Sequence, residues 1–462
     1  MIKNKYSAKD IVFYVVIFMI FGLWAMMLRL GDAPDEQGRY AMAMYMFEHG
    51  KLPIGTEEEI RMEAWGFSYG FQPYLSYIFS ALSMKFVSLF TKNAYLYIVA
   101  ARMVNVVMGV VMAIYVRKMS KLVFESEWYQ WIFTLLIVLL PQNMFMNVYV
   151  NTDSMALMST AMICYSWVCG LKDHWTKKTC ITLSLGIIFC ALSYYNAYGF
   201  ILFSAVLFLT STICKRENKQ GVLSYGMDWG TVWSKGLLIL SMVIIGCGWW
   251  FVRSYILFDG DFLGLRIRDY YAELYAVPHL KPSMAHTYAR AGWSVIRMLI
   301  ETDYIKVLGT SFVGKLGNME ISIPTWIYRF YGVLFVVGTM GCLMKGIEKK
   351  PFDIKKSCLH ISFIGCIIIP ILLCTYSAYK IDYQPQGRYI LPIIIPLMYF
   401  VAKGIREIFN RVIRLRVEFV KKAFQVGLIV LFVLSVASFY YDCVLQSRWP
   451  VFIHFIRFSL KL

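Results

Sequence analysis

The stretch GDAPDEQGRY (31–40) places Asp32, Asp35, Glu36 and Arg39 directly behind the apolar run from Ile11 to Leu28. Asp35 and Glu36 are residue types that take a proton from a hydroxyl, and Arg39 is the type that grips phosphate or carboxylate. Far along the chain, Asp153 follows Asn151 and Thr152, and Arg388 stands in QGRY behind Gln386. Carboxylates beside guanidiniums suit the transfer of a group away from a phosphate, with one side chain as base and another as clamp. Each residue also has a plain alternative. Acids after Pro34 suit a helix N-terminus, where they contribute roughly 0.3–1 kcal/mol. Asp153 is placed to cap a helix, and an arginine at a helix end can snorkel to lipid headgroups.

The elements that position these residues follow from composition. Hydrophobic residues make up 59% of the 462 and charged ones 16%, and apolar runs near the ~20 residues that cross a bilayer recur along the chain. This predicts an all-α polytopic membrane protein, one integral membrane domain over 1–462. The first run follows Lys3, Lys5 and Lys9 but is longer than a signal-peptide core of roughly 7–15 residues, so it reads as a retained helix. The net charge of +18 lies in short segments between apolar runs, as the positive-inside rule expects of cytoplasmic loops, and does not point to nucleic acid. The 11 cysteines fall mostly inside apolar runs, without a CxxC pair or metal-ligand spacing, and read as small packing groups.

With the N-terminus cytoplasmic, about 11 transmembrane helices thread the chain. The first, 11–29, delivers GDAPDEQGRY to the outside, opening an extracytoplasmic loop over 30–95 in which 71–90 lies along or dips into the surface. The helix over 96–116 then brings Arg117, Lys118 and Lys121 inside. A helix over 128–147 leads out to Asn151-Thr152-Asp153, and its successor returns to Lys172, Lys177 and Lys178. A pair around 194–198 returns to Lys215, Arg216 and Lys219. The helix over 236–252 opens a long external segment, 253–325. The next returns to Lys345, Lys349, Lys350, Lys355 and Lys356. The helix over 357–376 leads out to Arg388, and the last pair encloses a basic loop with Lys403, Arg406, Arg411, Arg414, Arg416, Lys421 and Lys422. The tail 443–462 leaves outside or lies in the interface.

On this thread Asp35 and Glu36, Asp153, and Arg388 with Gln386 reach one membrane face, each beside a helix end. Ionisable residues gathered there mark a candidate site. The segment 253–325 adds Tyr270, Tyr271, Tyr275, Tyr288 and Trp293, rings that either stack on sugar faces or form an interfacial belt.

With these motifs the chain resembles the GT-C glycosyltransferases, multi-pass enzymes that take a sugar from a polyprenyl-phosphate carrier. Within them it is similar to a bacterial branch with PDE after the first helix and QGRY near the last. The matching residues are Pro34-Asp35-Glu36, Asn151-Thr152-Asp153, WFVR at 250–253 with GDFLG at 260–264, and QGRYILP at 386–392. The resemblance implies a GT-C-like bundle with interfacial helices in its external loops and an active site on the outer face of the bacterial cytoplasmic membrane. It implies Asp35 with Glu36 as catalytic acids and Asp153 at the acceptor or a metal, where Arg39 can stand in for the family's histidine as a phosphate or metal-site partner. Arg388, with Gln386 and Arg253, would face the donor phosphate. Relatives commonly carry a histidine shortly after PDE, where this chain reads Gln37-Gly38-Arg39-Tyr40, which leaves a divalent metal an open question. The expected reaction is inverting transfer from a polyprenyl-phosphate sugar to a glycan or glycolipid acceptor of the cell envelope. The alternative is a transporter or flippase of lipid-linked sugars, which predicts internal repeats or charges at mid-membrane. No repeat and no nucleotide-binding loop of the GxxxxGK[ST] type is present in the sequence.

Overall fold

The computed structural model describes residues 7–217, 223–346, 354–412 and 418–440. The tail 443–462 and Lys3, Lys5, Lys219, Lys349, Lys350, Arg414 and Arg416 lie outside the described residues. In chain order the helices are α1 (Ala8–Met27), α2 (Glu36–His49), α3 (Leu75–Ser88), α4 (Ala94–Val123), α5 (Glu127–Val138), α6 (Pro141–Met146), α7 (Asp153–Asp173), α8 (Lys177–Ala191), α9 (Gly199–Ser211), the single turn α10 (Trp229–Thr231), α11 (Leu237–Leu257), α12 (Leu265–Tyr275), α13 (Val295–Glu301), α14 (Tyr304–Gly314), α15 (Thr325–Gly346), α16 (Ile354–Lys380), α17 (Ile394–Val412) and α18 (Glu418–Tyr440). Two small antiparallel hairpins complete it, β1 (Ile213–Glu217) with β2 (Leu223–Met227) and β3 (Lys315–Leu316) with β4 (Ile321–Ser322).

Among the described residues, seven helices are long and apolar enough to cross a membrane. The other expected spans are shorter or interrupted. α8 and α9 have 15 and 13 residues. The helix expected over 128–147 is broken: α5 stops at Val138, and α6 starts afresh with Pro141 as its first residue. Proline lacks the N–H a helix interior needs and its ring clashes with the carbonyl four residues back, whereas the first helical position suits it. The 71–90 segment folds into the 14-residue α3, about 21 Å long and short of the roughly 30 Å apolar core.

One end of the bundle collects basic side chains. Asp10, fully buried near the start of α1, accepts from Arg117 Nε (2.8 Å) and from Lys121 near the end of α4. Arg117 also lies 3.9 Å over the Trp131 ring of α5, and Lys172 at the end of α7 donates to the Leu122 carbonyl. The opposite end carries GDAPDEQGRY, the start of α7 and the QGRY segment, which folds as a 3-10 turn (Gly387–Ile393) leading into α17.

At that second end the two long loops clasp each other. Val277 N–H donates to the Ala64 carbonyl (3.1 Å), Arg61 stacks 3.9 Å over Tyr275, and Phe71 meets Tyr271 with ring centroids 5.1 Å apart. Gly264, at the N-cap of α12, has φ +67°, and a Cβ there would sit 2.0 Å from the Phe71 carbonyl oxygen. The left-handed backbone and this contact both demand glycine. The GDFLG motif is thereby explained as the hinge that presses the second loop onto the first, with Asp261 Oδ2 accepting from Ile267 N–H at 3.0 Å to start α12.

Candidate functional site

Asp35 sits just before α2 with φ 60° and ψ 6°, a left-handed conformation that only Asn, Asp and glycine visit readily. Its side chain makes no capping bond. Instead Oδ2 accepts from Arg388 Nη2 at 2.9 Å and lies 3.6 Å from Arg39 Nη2. Burial pushes its carboxyl upward, but the two guanidiniums outweigh this and hold it below the ordinary carboxylate range. Arg39, one turn into α2 and 6% exposed, reaches Asp153 Oδ2 with Nη1 at 3.0 Å and covers the Tyr69 ring at 5.2 Å. Asp153 does not cap α7, since Asn151 Oδ1 takes the Ser154 N–H at 2.9 Å. Nor does Arg388 point outward toward headgroups. It is 7% exposed, and its Nε and Nη1 have no partner. Gly387 beside it touches α14 so closely that a Cβ would fall 2.1 Å from Phe312 N, and its own N–H donates to Ser311 Oγ at 2.7 Å. The QGRY glycine is what lets Arg388 approach.

Glu36, adjacent in sequence, is turned the other way. It is fully buried, with Arg102 Nε on Oε1 (2.7 Å), Arg102 Nη2 on Oε2 (2.6 Å) and Val150 N–H on Oε1 (3.0 Å). Arg102 Nη1 also donates to the Ala25 and Leu28 carbonyls at the end of α1, at 3.0 and 2.6 Å. Placing Glu36 beside Asp35 as a second catalytic acid is therefore corrected. Both its oxygens are committed to a two-pronged ion pair that ties α1, α2, α4 and the loop before α7 together.

Asp35, Arg39 and Arg388 line a cavity of about 590 Å³, within the range of roughly 300–1,000 Å³ usual for ligand sites. Its walls come from the first loop (Trp65, Phe67, Tyr69, Tyr77), the start of α7 (Thr152), the turn at 193–196, α12 with the following loop (Arg268, His279, His286), and the region from α16 to Tyr389, including Asp382 and Gln384. Asp153 is held just behind Arg39.

Arg253 and Gln386 do not reach this cavity, which corrects the expected donor-phosphate set. Arg253 Nη2 holds the Pro53 carbonyl at 2.6 Å and its guanidinium lies 5.1 Å from the Trp250 ring, clamping the first loop to α11. Gln386 Nε2 donates to Gln384 Oε1 at 3.2 Å, so it braces a residue that does line the wall. Of the five aromatics of 253–325, four pack within the protein. Tyr271 and Tyr275 pack on the first loop and on each other, Tyr288 joins Trp293 and Tyr383, and Tyr270 is exposed. The cavity's aromatic surface comes mainly from the first loop and the 194–195 turn. Tyr69, Asn196 and Gln384 carried no signal in the sequence. Arg102 did: a lone arginine inside an apolar run needs a partner.

A divalent metal does not fit the donor set present. The two carboxylates that would hold it, Asp35 and Asp153, both face Arg39, whose guanidinium occupies the place between them. Among the described residues no group of three or more His, Cys, Asp or Glu is arranged to hold an ion.

Comparison with known proteins places the chain in a family. Residues 61–397 match the family described as a predicted membrane protein (DUF2142). The match begins beyond Asp35, Glu36 and Arg39 and includes Asp153, Arg253 and Arg388. No protein of curated function matches the sequence. Among solved structures the chain is similar to the Archaeoglobus fulgidus oligosaccharyltransferase in complex with Zn and sulfate, with TM-score 0.53 and 11% identity, covering 91% of this chain and 52% of that one. For the same enzyme tethered with an acceptor peptide containing the NVT sequon the values are 0.52, 11%, 92% and 55%. For ArnT from Cupriavidus metallidurans bound to undecaprenyl phosphate they are 0.50, 12%, 92% and 64%. The chain thus spans little more than half the length of the oligosaccharyltransferase. What it shares at such identity is the fold, a GT-C-like polytopic bundle. The family match covers well over half of the sequence, and the chain belongs to the DUF2142 family of predicted membrane proteins.

Proposed function

We propose that this protein is an inverting glycosyltransferase, moving a sugar from a polyprenyl-phosphate carrier to a glycan or glycolipid acceptor of the cell envelope at the outer face of the bacterial cytoplasmic membrane. The observation that carries this reading is Asp35, held between Arg388 and Arg39 in the wall of a cavity, at the end of a GT-C-like bundle away from the basic cluster of α1, α4 and α7. The likeness to ArnT bound to undecaprenyl phosphate supports the class of carrier.

In this reaction the isoprenoid tail stays among the apolar helices and the phosphate meets Arg388. The acceptor hydroxyl attacks the anomeric carbon from the side opposite the phosphate. Its proton passes to Asp35, the new C–O bond forms, and the old C–O bond breaks with its electron pair leaving on the polyprenyl phosphate. A positioned base contributes about 10²–10⁴-fold, and fixed positive charge stabilises the phosphate as it departs.

The test is transfer by the purified full-length protein from a labelled polyprenyl-phosphate sugar to acceptor-containing membranes, read as labelled acceptor and released polyprenyl phosphate. Arg388→Ala is expected to abolish nearly all turnover, and Arg388→Lys to keep a fraction, because lysine keeps the charge but loses the planar fork. Parental turnover by both variants at limiting donor would remove Arg388 from the donor site.

The orientation has its own measurement. Cysteines introduced at the exposed positions Glu63 and Met284 should react with an impermeant thiol reagent in intact cells, above the parent's background, and one at Lys177 only after permeabilisation. The reverse pattern would put the cavity on the cytoplasmic side and end the outer-face assignment.

A further inference from the structure

Arg388 approaches Asp35 in an unusual way. Arginine and carboxylate normally pair through two parallel N–H···O bonds, yet only Arg388 Nη2 touches Asp35, at 2.9 Å, while Nε and Nη1 stay buried without partners. The same Asp35 oxygen is also 3.6 Å from Arg39, whose Nη1 is already committed to Asp153. Asp35 itself is held in a left-handed backbone conformation. The pair is thus single-pronged, its carboxylate belongs to a residue in the left-handed region, and three of the arginine's five N–H donors are unused.

We propose that the Asp35 carboxylate is a placeholder at Arg388. It pairs with the guanidinium that the carrier's phosphate takes over, so that donor binding and the release of Asp35 from Arg388 are one event. A phosphate has more acceptor oxygens than a carboxylate and engages two prongs of the guanidinium where Asp35 engages one. Once Arg388 turns to the phosphate, Asp35 keeps its longer contact with Arg39 and its hydrogen bond with Tyr69. A carboxylate held low by two arginines is a weak base, and losing one of them makes it a stronger one. Donor binding therefore precedes proton abstraction, and the base is blunted while the donor position is empty. This rests on the donor-site reading above and adds an order of binding to it.

The experiment measures binding of undecaprenyl phosphate to the purified full-length protein in lipid nanodiscs, with the uncharged alcohol undecaprenol as control. The variants are Asp35→Asn, Asp35→Gly and Arg388→Ala. Asparagine tolerates the left-handed conformation and glycine relieves it, so at least one of the two Asp35 variants folds. Both lack the competing negative charge. Binding of the phosphate should tighten about two- to fivefold in them, the range expected from removing a partly exposed ion pair. Binding of the alcohol should not change, and Arg388→Ala should lose the preference for phosphate over alcohol. Equal or weaker phosphate binding in the Asp35 variants, with the parent still preferring phosphate, would overturn the placeholder and leave the donor site standing. A parent that binds phosphate and alcohol alike would overturn the donor-site reading, and the placeholder with it.

Discussion

Arg102→Met is expected to destabilise the protein by about 3–5 kcal/mol, the cost of stranding a buried charge whose partner has been removed. Both side chains of the Arg102–Glu36 pair are fully buried, and methionine fills much of the arginine's volume without replacing any of its bonds. The loss falls on Glu36 and also on the Ala25 and Leu28 carbonyls at the end of α1, which Arg102 satisfies. The measurement is an equilibrium unfolding titration of the detergent-solubilised protein. Glu36→Gln alone should also be strongly destabilised, because it leaves the arginine stranded. The double variant Arg102→Met/Glu36→Gln should recover part of the loss, since neither charge then remains. An Arg102→Met protein within about 1 kcal/mol of the parent would show that this pair is not what joins α1, α2 and α4. The same experiment separates Glu36 from Asp35. Glu36 variants should lose activity only as they lose the fold.

The contrast between these neighbours shows what a sequence of this kind discloses and what it hides. Asp35 and Arg388 are 353 residues apart and touch. Their convergence was legible because each abuts a hydrophobic helix, and the distribution of lysines and arginines sets which helix ends share a face. Adjacency on the chain says nothing about direction. The left-handed turn at Asp35 aims one carboxylate into the cavity and the next, on the first residue of α2, into the bundle. Arg253 misled for a related reason: its motif is real, but its work is to pin the Pro53 carbonyl. Two further features are legible in the sequence. Pro141 inside the expected helix over 128–147 marks a place where a break is favoured. Arg102, alone among apolar residues, demands a carboxylate, and Glu36 at the membrane edge was available. The remaining cavity wall, with Tyr69, Asn196 and Gln384, comes from irregular loops whose side chains follow no period, so only the fold reveals them.

Asp35→Asn should separate chemistry from structure most sharply. Asparagine has the same shape and is among the few residues at ease at φ 60°. It can still accept the Arg388 N–H, so the folded state should stay within about 1 kcal/mol of the parent at neutral pH. Turnover should nevertheless fall by roughly 10²-fold or more, because an amide cannot take the acceptor's proton. The pH dependence of stability supplies an independent check. The two arginines hold the Asp35 carboxyl below its ordinary value, so its ion pairing stabilises the fold fully above the unfolded value, near roughly 4. That contribution is lost as the pH falls through the lower folded value. The parent should therefore lose stability on acidification in that window, and Asp35→Asn should lose less there, since its side chain does not titrate. A well-folded Asp35→Asn protein that transfers sugar at nearly the parental rate would refute Asp35 as the base, even if its acid response behaved as expected, because the acid response reports only the pairing with Arg388 and Arg39.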